Sequence, residues 1–197
     1  VTLPALSTPD RPLVVPTTPR QASGLRVLGL DLSITSTGIA LPTGATCRIK
    51  TRTRDADRRL CIIRDHLRRI LTEHQPHCAV IEDLPTKMRP TAVKGVGALH
   101  GVVKAELLDA GVPYAMVAPA TLKSYACDHG RAEKHQLADA AYLAAGATFP
   151  DDRGGDQCDA WWLRAAAHHH YDRPLFDLPA AQRARLRKVD WPAITIP

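Results

Sequence analysis

Two short apolar runs in this chain each stop on a single carboxylate, and no other feature constrains the fold as tightly. Asp31 closes Arg26-Val27-Leu28-Gly29-Leu30-Asp31, and Glu82 closes Cys78-Ala79-Val80-Ile81-Glu82. Runs of this length and composition read as buried strands, and the closing acid then projects from the end of a sheet. A third segment, Asp156-Gln157-Cys158-Asp159-Ala160, opens an apolar helix with two acids on one face. Like charges so placed repel, and a bound divalent cation is one reason to keep them together. Convergence of the three segments makes an all-oxygen pocket suited to Mg²⁺ or Mn²⁺. In a basic chain, such a pocket points to two-metal phosphodiester chemistry.

Each acid also has a plainer explanation. Asp156 fits a helix N-cap, and Asp159 fits a first-turn partner of the helix dipole. Glu82 fits a surface strand end, with Asp83 beside it as the functional acid. Asp31 begins Asp31-Leu32-Ser33-Ile34-Thr35-Ser36-Thr37-Gly38, whose hydroxyls and glycine suit a tight turn between strands. The same segment suits the phosphate loop of actin-like kinases. Those proteins need a second glycine-rich loop and a second domain, and neither is evident here. The weight rests on the combination.

The chain has 197 residues, enough for one domain with a sizeable core and tails. Its net charge is +6, and arginine is concentrated between Arg48 and Arg69. That density fits a polyanionic partner, although a solvated helix face explains it equally well. The 5 cysteines are scattered, with no C-x-x-C pair, so they form neither a disulfide framework nor a zinc site. No stretch is apolar for long enough to span a membrane, and no signal-peptide pattern opens the chain. These features lead us to expect a soluble protein of the reducing cytoplasm, with no small-molecule cofactor.

Residues 1–24 hold five prolines among Ser, Thr and Arg, and read as an extended or disordered arm. A globular domain is expected over residues 25–171, followed by a basic tail over 172–197 with helical potential around Arg183 to Lys188. Strands are expected at Val27 to Asp31, Ile39 to Leu41, Thr46 to Lys50, the run ending at Glu82, and Tyr114 to Val117. Asp57 to His74 has helical periodicity, with Leu60, Ile63, Leu67, Ile70 and Leu71 on one face. A second helix, Thr91 to Ala110, carries a stripe of Gly97, Gly101 and Ala105 that permits close approach to the sheet or to a second subunit. Shorter helices follow at about 119–127 and 132–145, and a last one from Asp156 to His169. The order of elements gives a mixed five-stranded α/β sheet flanked by helices.

Taken together, these segments resemble the RuvC family of Holliday-junction resolvases, within the RNase H-like nucleases. The resemblance runs from about Arg26 to His169. It rests on Asp31 with Thr37-Gly38, on Val80-Ile81-Glu82, on Pro119 with Lys123, on Lys134, and on Asp156-x-x-Asp159-Ala160, in that order. The resemblance implies an RNase H-like fold and an endonuclease that resolves four-way or other branched DNA by paired nicking, leaving 5′-phosphates. It implies that Asp31, Glu82, Asp156 and Asp159 hold two Mg²⁺ ions, with Mn²⁺ as a substitute. Lys123 and Lys134 then sit at the scissile phosphate, where a positive charge meets the negative charge that builds during displacement. Lys87, Arg89, Lys94, Arg58 and Arg59 are expected to contact DNA, and the enzyme is expected to be a homodimer. Alternatives are an RNA–DNA hybrid or flap nuclease with the same site, or a catalytically silent DNA-binding module.

Two departures stand out. Leu32-Ser33 follows the first Asp where many bacterial members have Pro-Gly. Asp83-Leu84-Pro85 follows Glu82 where some members place an aromatic wedge, leaving Leu84 or Met88 as substitutes. His168-His169-His170 invites a metal reading, but consecutive helical residues point about 100° apart, so a polar helix end near the negative dipole fits better. Of the adjacent tryptophans, Trp161 is expected in the core and Trp162 at least partly exposed.

Overall fold

The structure, a computed structural model, describes residues 24–85 and 90–196. The arm up to residue 23 and the expected DNA contacts Lys87 and Arg89, with Met88, lie outside the described residues. Strands β1 (Val27–Asp31), β2 (Ser36–Ala40), β3 (Thr46–Lys50), β4 (Cys78–Glu82) and β5 (Tyr114–Val117) form one sheet in the order β3-β2-β1-β4-β5. β1 pairs antiparallel with β2 and parallel with β4, and β5 adds parallel to β4. The mixed five-stranded sheet expected from the sequence is therefore present.

Strand periodicity divides the core into two layers. Leu28, Leu30, Ala79 and Ile81 face helices α1 (Arg58–His74) and α2 (Pro90–Asp109), which meet them with Ile63, Leu67, Leu99, Val103 and Leu107. Val27, Cys78 and Val80 face the opposite way, into a layer built by α3 (Pro119–Cys127), α4 (Lys134–Ala145) and α5 (Asp156–His170). Asp31 and Glu82 continue the second alternation, so both acids emerge on the α5 side. The chain after α5 closes over this layer. The short helix α6 (Ala180–Ala184) follows, Leu186 is buried, and the Gln182 amide donates to the Tyr125 and Ala126 carbonyls at the end of α3. Residues 172–196 are thus packed on the core. Among the described residues, no helix is long and apolar enough to cross a membrane.

α5 is the central helix. Every residue from Gln157 to His169 except Asp159 is buried. This corrects two expectations. Trp162 is fully buried, its Nε1 donating to the Leu137 carbonyl at 3.0 Å and its ring set edge-on to Tyr125. His168 and His169 are buried too, because a helix enclosed on all sides has no polar face to offer. The three histidine rings diverge: His168 Nδ1 meets the Arg173 carbonyl, His169 Nδ1 meets the Tyr125 hydroxyl, and His170 stacks on Trp191. Divergence is what the 100° step demands, and it leaves no shared ion site there.

β2 begins at Ser36, earlier than expected, so Ser36-Thr37-Gly38 is strand and the turn is confined to the residues before it. Gly38 serves close packing. A Cβ there would collide with the Asp156 backbone, and one on Gly29 would collide with the Ala160 carbonyl. These two bare strand positions let α5 settle onto β1 and β2. The stripe on α2 behaves differently: Ala105 and Gly101 are exposed, and among the described residues a Cβ built on Gly97 or Gly101 would meet no atom within 4 Å beyond the neighbouring backbone of its own helix. It does not pack on the sheet.

Candidate metal centre

Three of the four expected acids meet. Oxygens of Asp31, Glu82 and Asp159 lie within 4.8 Å of one another, the one such group among the described residues. The reason is the architecture just described. Asp31 and Glu82 end neighbouring parallel strands and point to the same side, and the glycine contacts bring the first turn of α5 down beside them. Asp156 lies outside this group, one turn earlier. The Ser36 hydroxyl donates to its Oδ2 at 2.5 Å.

The electrostatics are those of a buried acid cluster only partly compensated by nearby lysines. Burial holds the Asp31 carboxyl well above the usual carboxylate range. The charges of Glu82, Asp159 and Asp156 and a hydrogen bond with Glu82 add to this. Glu82 is pushed up to about 7 by burial and then by Asp159, against the hydrogen bond with Asp31 and the charges of Lys123 and Lys134. Asp159 rises to about 6 by burial, with Lys134 and Lys123 pulling it down. Both lysines therefore stand close enough for their charge to be felt at the cluster. Lys134 leads α4 and lies along Gly155, just before α5, while Lys123 comes from the middle of α3.

Two supporting residues escaped the sequence reading. The Asp152 side chain is buried, and its Oδ2 accepts the backbone N–H groups of Gln157 and Cys158 at 3.0 and 3.1 Å. It thus takes orphan donors of α5 that no N-cap side chain satisfies. Its Oδ1 faces Arg48 Nη1 at 3.7 Å, and Arg48 also donates to the Asp151 carbonyl. Arg48 is accordingly tied into the scaffold. The Asp151-Asp152 pair ahead of Gly154-Gly155 was the available signal for such a cap. Ser36 is the other, and its polar side chain beside Thr37 gave no hint of a partner 120 residues away.

The remaining expected contacts lie apart from the cluster. α1 packs on the opposite face of the sheet, with Arg58 exposed and Arg59 half-buried at its start, and Arg68 paired bidentately with Glu106 of α2. β3 ends beside Ser36, so α1 starts from the same end of the sheet as the carboxylates. Lys94 is exposed in the first turns of α2.

A mixed sheet with a central helix laid over acid-tipped strands defines an RNase H-like protein with a candidate metal centre. A family model described as "Crossover junction endodeoxyribonuclease RuvC" matches residues 22–142. The chain belongs to the RuvC family. RuvC of Burkholderia thailandensis is 30% identical over 173 residues, covering 83% of this chain and 94% of that protein. RuvC of Alkalilimnicola ehrlichii is 29% identical over 120 residues, 57% of this chain and 73% of its own. The solved structure titled "T. thermophilus RuvC in complex with Holliday junction substrate" has the same fold. Its TM-score is 0.65 at 22% identity, over 76% of this chain and 95% of the other.

Proposed function

We propose that this protein is a metal-dependent endonuclease that resolves four-way DNA junctions by paired nicking. The observation that carries the reading is the convergence of Asp31, Glu82 and Asp159 from two strand ends and one helix. Family membership supports it, since the curated relatives are named crossover junction endodeoxyribonucleases and a structural neighbour was solved with a Holliday junction.

The donor set fits a hard divalent cation. It is all carboxylate, and burial and mutual repulsion raise each member above its ordinary value, a penalty on the ionised forms that a cation removes. Asp31, Glu82 and Asp159 would hold Mg²⁺, or Mn²⁺ in its place, with Asp156 completing a set for two ions. Bound there, the ions supply an activated water and Lewis-acid stabilisation of the leaving oxygen. The chain's own part is positional. Gly29 and Gly38 fix the height of α5, Asp152 anchors its first turn, and Ser36 orients Asp156. Lys123 and Lys134 place positive charge where the pentavalent phosphorus gathers negative charge. Arg58, Arg59, Lys94, Lys87 and Arg89 are proposed to contact the DNA arms.

Two cuts on equivalent strands call for a two-fold enzyme. The open stripe of Gly97, Gly101 and Ala105 offers the contact. Gly101→Leu should weaken the dimer and impair paired incision more than single nicking, with sedimentation across concentrations as the check. A protein that stays a strict monomer with and without junction DNA, yet still resolves junctions symmetrically, would refute the dimer.

The function itself is tested by incubating the protein with labelled four-way junction, flap, duplex and RNA–DNA hybrid, with and without Mg²⁺. Symmetric Mg²⁺-dependent cuts in the junction, with ligatable 5′-phosphates, are expected. Preference for flap or hybrid would reassign the substrate, and binding without cleavage would make the chain a silent DNA-binding module.

A further inference from the structure

At the end of the sheet opposite the carboxylates, beside the middle of α5, a cavity of about 840 Å³ opens between the start of β1, the β2–β3 turn, the segment after α4 and the segment after α5. This lies within the size range of small-molecule sites. Phe149, Trp161, Leu175 and Phe176 give it one apolar, aromatic wall, with Trp161 and Phe176 stacked at 5.1 Å, and Thr43, Thr46 and Thr148 add polar groups to the lining. Two charged residues line it, Arg26 and Arg164. Arg26 is exposed and its Nε donates to the Gln75 carbonyl, so the buried charge is that of Arg164. Arg164 lies two turns beyond Asp156 on α5 and is only 7% exposed. Its Nη2 donates to the Pro42 carbonyl at 3.0 Å, while its buried Nε has no partner. Among the described residues no carboxylate lies within ion-pair distance of it.

A guanidinium carries five N–H donors in a planar fork, and burying it without a counter-charge is costly. Burial lowers Arg164 to about 10, with no carboxylate beside it to offset the cost. The surrounding glycines keep the approach open: a Cβ on Gly44 would meet only Arg164 Nη1, at 3.8 Å, and one on Gly146 would meet nothing. An open cavity with an aromatic wall and two arginines in its lining, one of them buried and under-satisfied, matches a flat ring bearing an anionic group. We propose that this cavity binds a small aromatic anion, a carboxylate or phosphate, with Arg164 as its counter-charge and the Phe149–Trp161–Phe176 wall against its ring.

The test is calorimetric titration of the full chain with 2-naphthoate and 2-naphthyl phosphate. Neutral 2-naphthylmethanol serves as the shape-matched control. Saturable binding of at least one anion is expected, about tenfold or more tighter than the alcohol, as one charge-assisted hydrogen bond allows. The two anions rank carboxylate against phosphate. Arg164→Gln should abolish that preference by about the same factor. Ala147→Phe, which fills the cavity and leaves the arginine, should block both anions, and melting curves of both variants establish that they fold. Equal affinity for alcohol and anions, binding unaffected by Arg164→Gln in a folded variant, or no binding of either anion would each overturn the proposal.

Discussion

The two faces of the sheet are packed by different rules. On the α1–α2 face, amphipathic helices lay apolar stripes on Leu28, Leu30 and Ile81 and leave their arginines and small residues outside. On the other face, α5 is enclosed on nearly every side, and it lies so close that two strand positions can hold only glycine. The first arrangement tolerates change in its own packing because its outward half touches no other part of the sheet. The second ties the position of Asp159 to backbone contacts, so the chemistry sits where the packing has least freedom.

The sharpest way to break this contrast is at the acids. Asp31→Asn should lower junction cleavage by at least about a hundredfold while leaving DNA binding largely intact, since the ion site is lost and the basic surface remains. Replacing exposed Arg69 on the other face with Ala should leave the cleavage rate within a few-fold under single-turnover conditions at saturating protein. Full activity of Asp31→Asn would remove the carboxylates from the mechanism.

Glycine substitutions test the packing side. Gly38→Ala forces a methyl against the Asp156 backbone, which cannot swing aside as a flexible side chain would. A loss on the order of 1–3 kcal/mol is expected in denaturant unfolding. Gly101→Ala adds the same methyl into open space on a helix and should stabilise the protein at low concentration by up to roughly 1 kcal/mol. Equal effects at the two sites would erase the distinction between the faces.

How much of this was legible follows the same division. The strands ending at Asp31 and Glu82, and the stripe on α1, were readable because an alternating or 3.6-residue pattern records one buried face. α5 was readable only through its acids. A helix buried all round has no periodicity to show, which is why Trp162 and the first two histidines of His168-His169-His170 were misplaced. Gly38 read as a turn residue because sequence registers the absence of a side chain without saying whether a bend or a neighbour requires it. Ser36 and Asp152 act through partners fixed only by the tertiary fold.

pH sharpens the contrast further, with two opposed signs on the α5 face. Glu82 and Asp159 are raised in the folded state, from ordinary values of 4.5 and 3.8 to about 7 and about 6. Their contribution to stability is full below about pH 4 and is lost as pH rises through 6 and 7. His168 is lowered from 6.5 to about 3 by burial, so it contributes above pH 6.5 and loses that contribution as pH falls. The two trends oppose each other in the wild type and separate in a difference measurement. Metal-free Glu82→Gln should differ little from wild type near pH 4 and become progressively more stable than it by pH 8, as followed by urea unfolding. A constant offset would mean that Glu82 is not raised.

The smallest effect belongs to the outer face. If Arg58, Arg59 and Arg64 track phosphates, replacing all three with Ala should flatten the salt dependence of junction binding. The log–log slope should fall by up to roughly 0.9 for each phosphate that is no longer neutralised. An unchanged slope would return this stretch to a solvated surface.

The central claim is that acids from two strand ends and one helix form one metal centre. Calorimetric titration of Mn²⁺ into the DNA-free protein at neutral pH, for wild type, Asp31→Asn and Glu82→Gln, tests it most directly. Saturable binding in the wild type, strongly weakened in both variants whose melting curves show them folded, is the predicted result. Undiminished Mn²⁺ binding in those variants, or none in the wild type, would contradict the account.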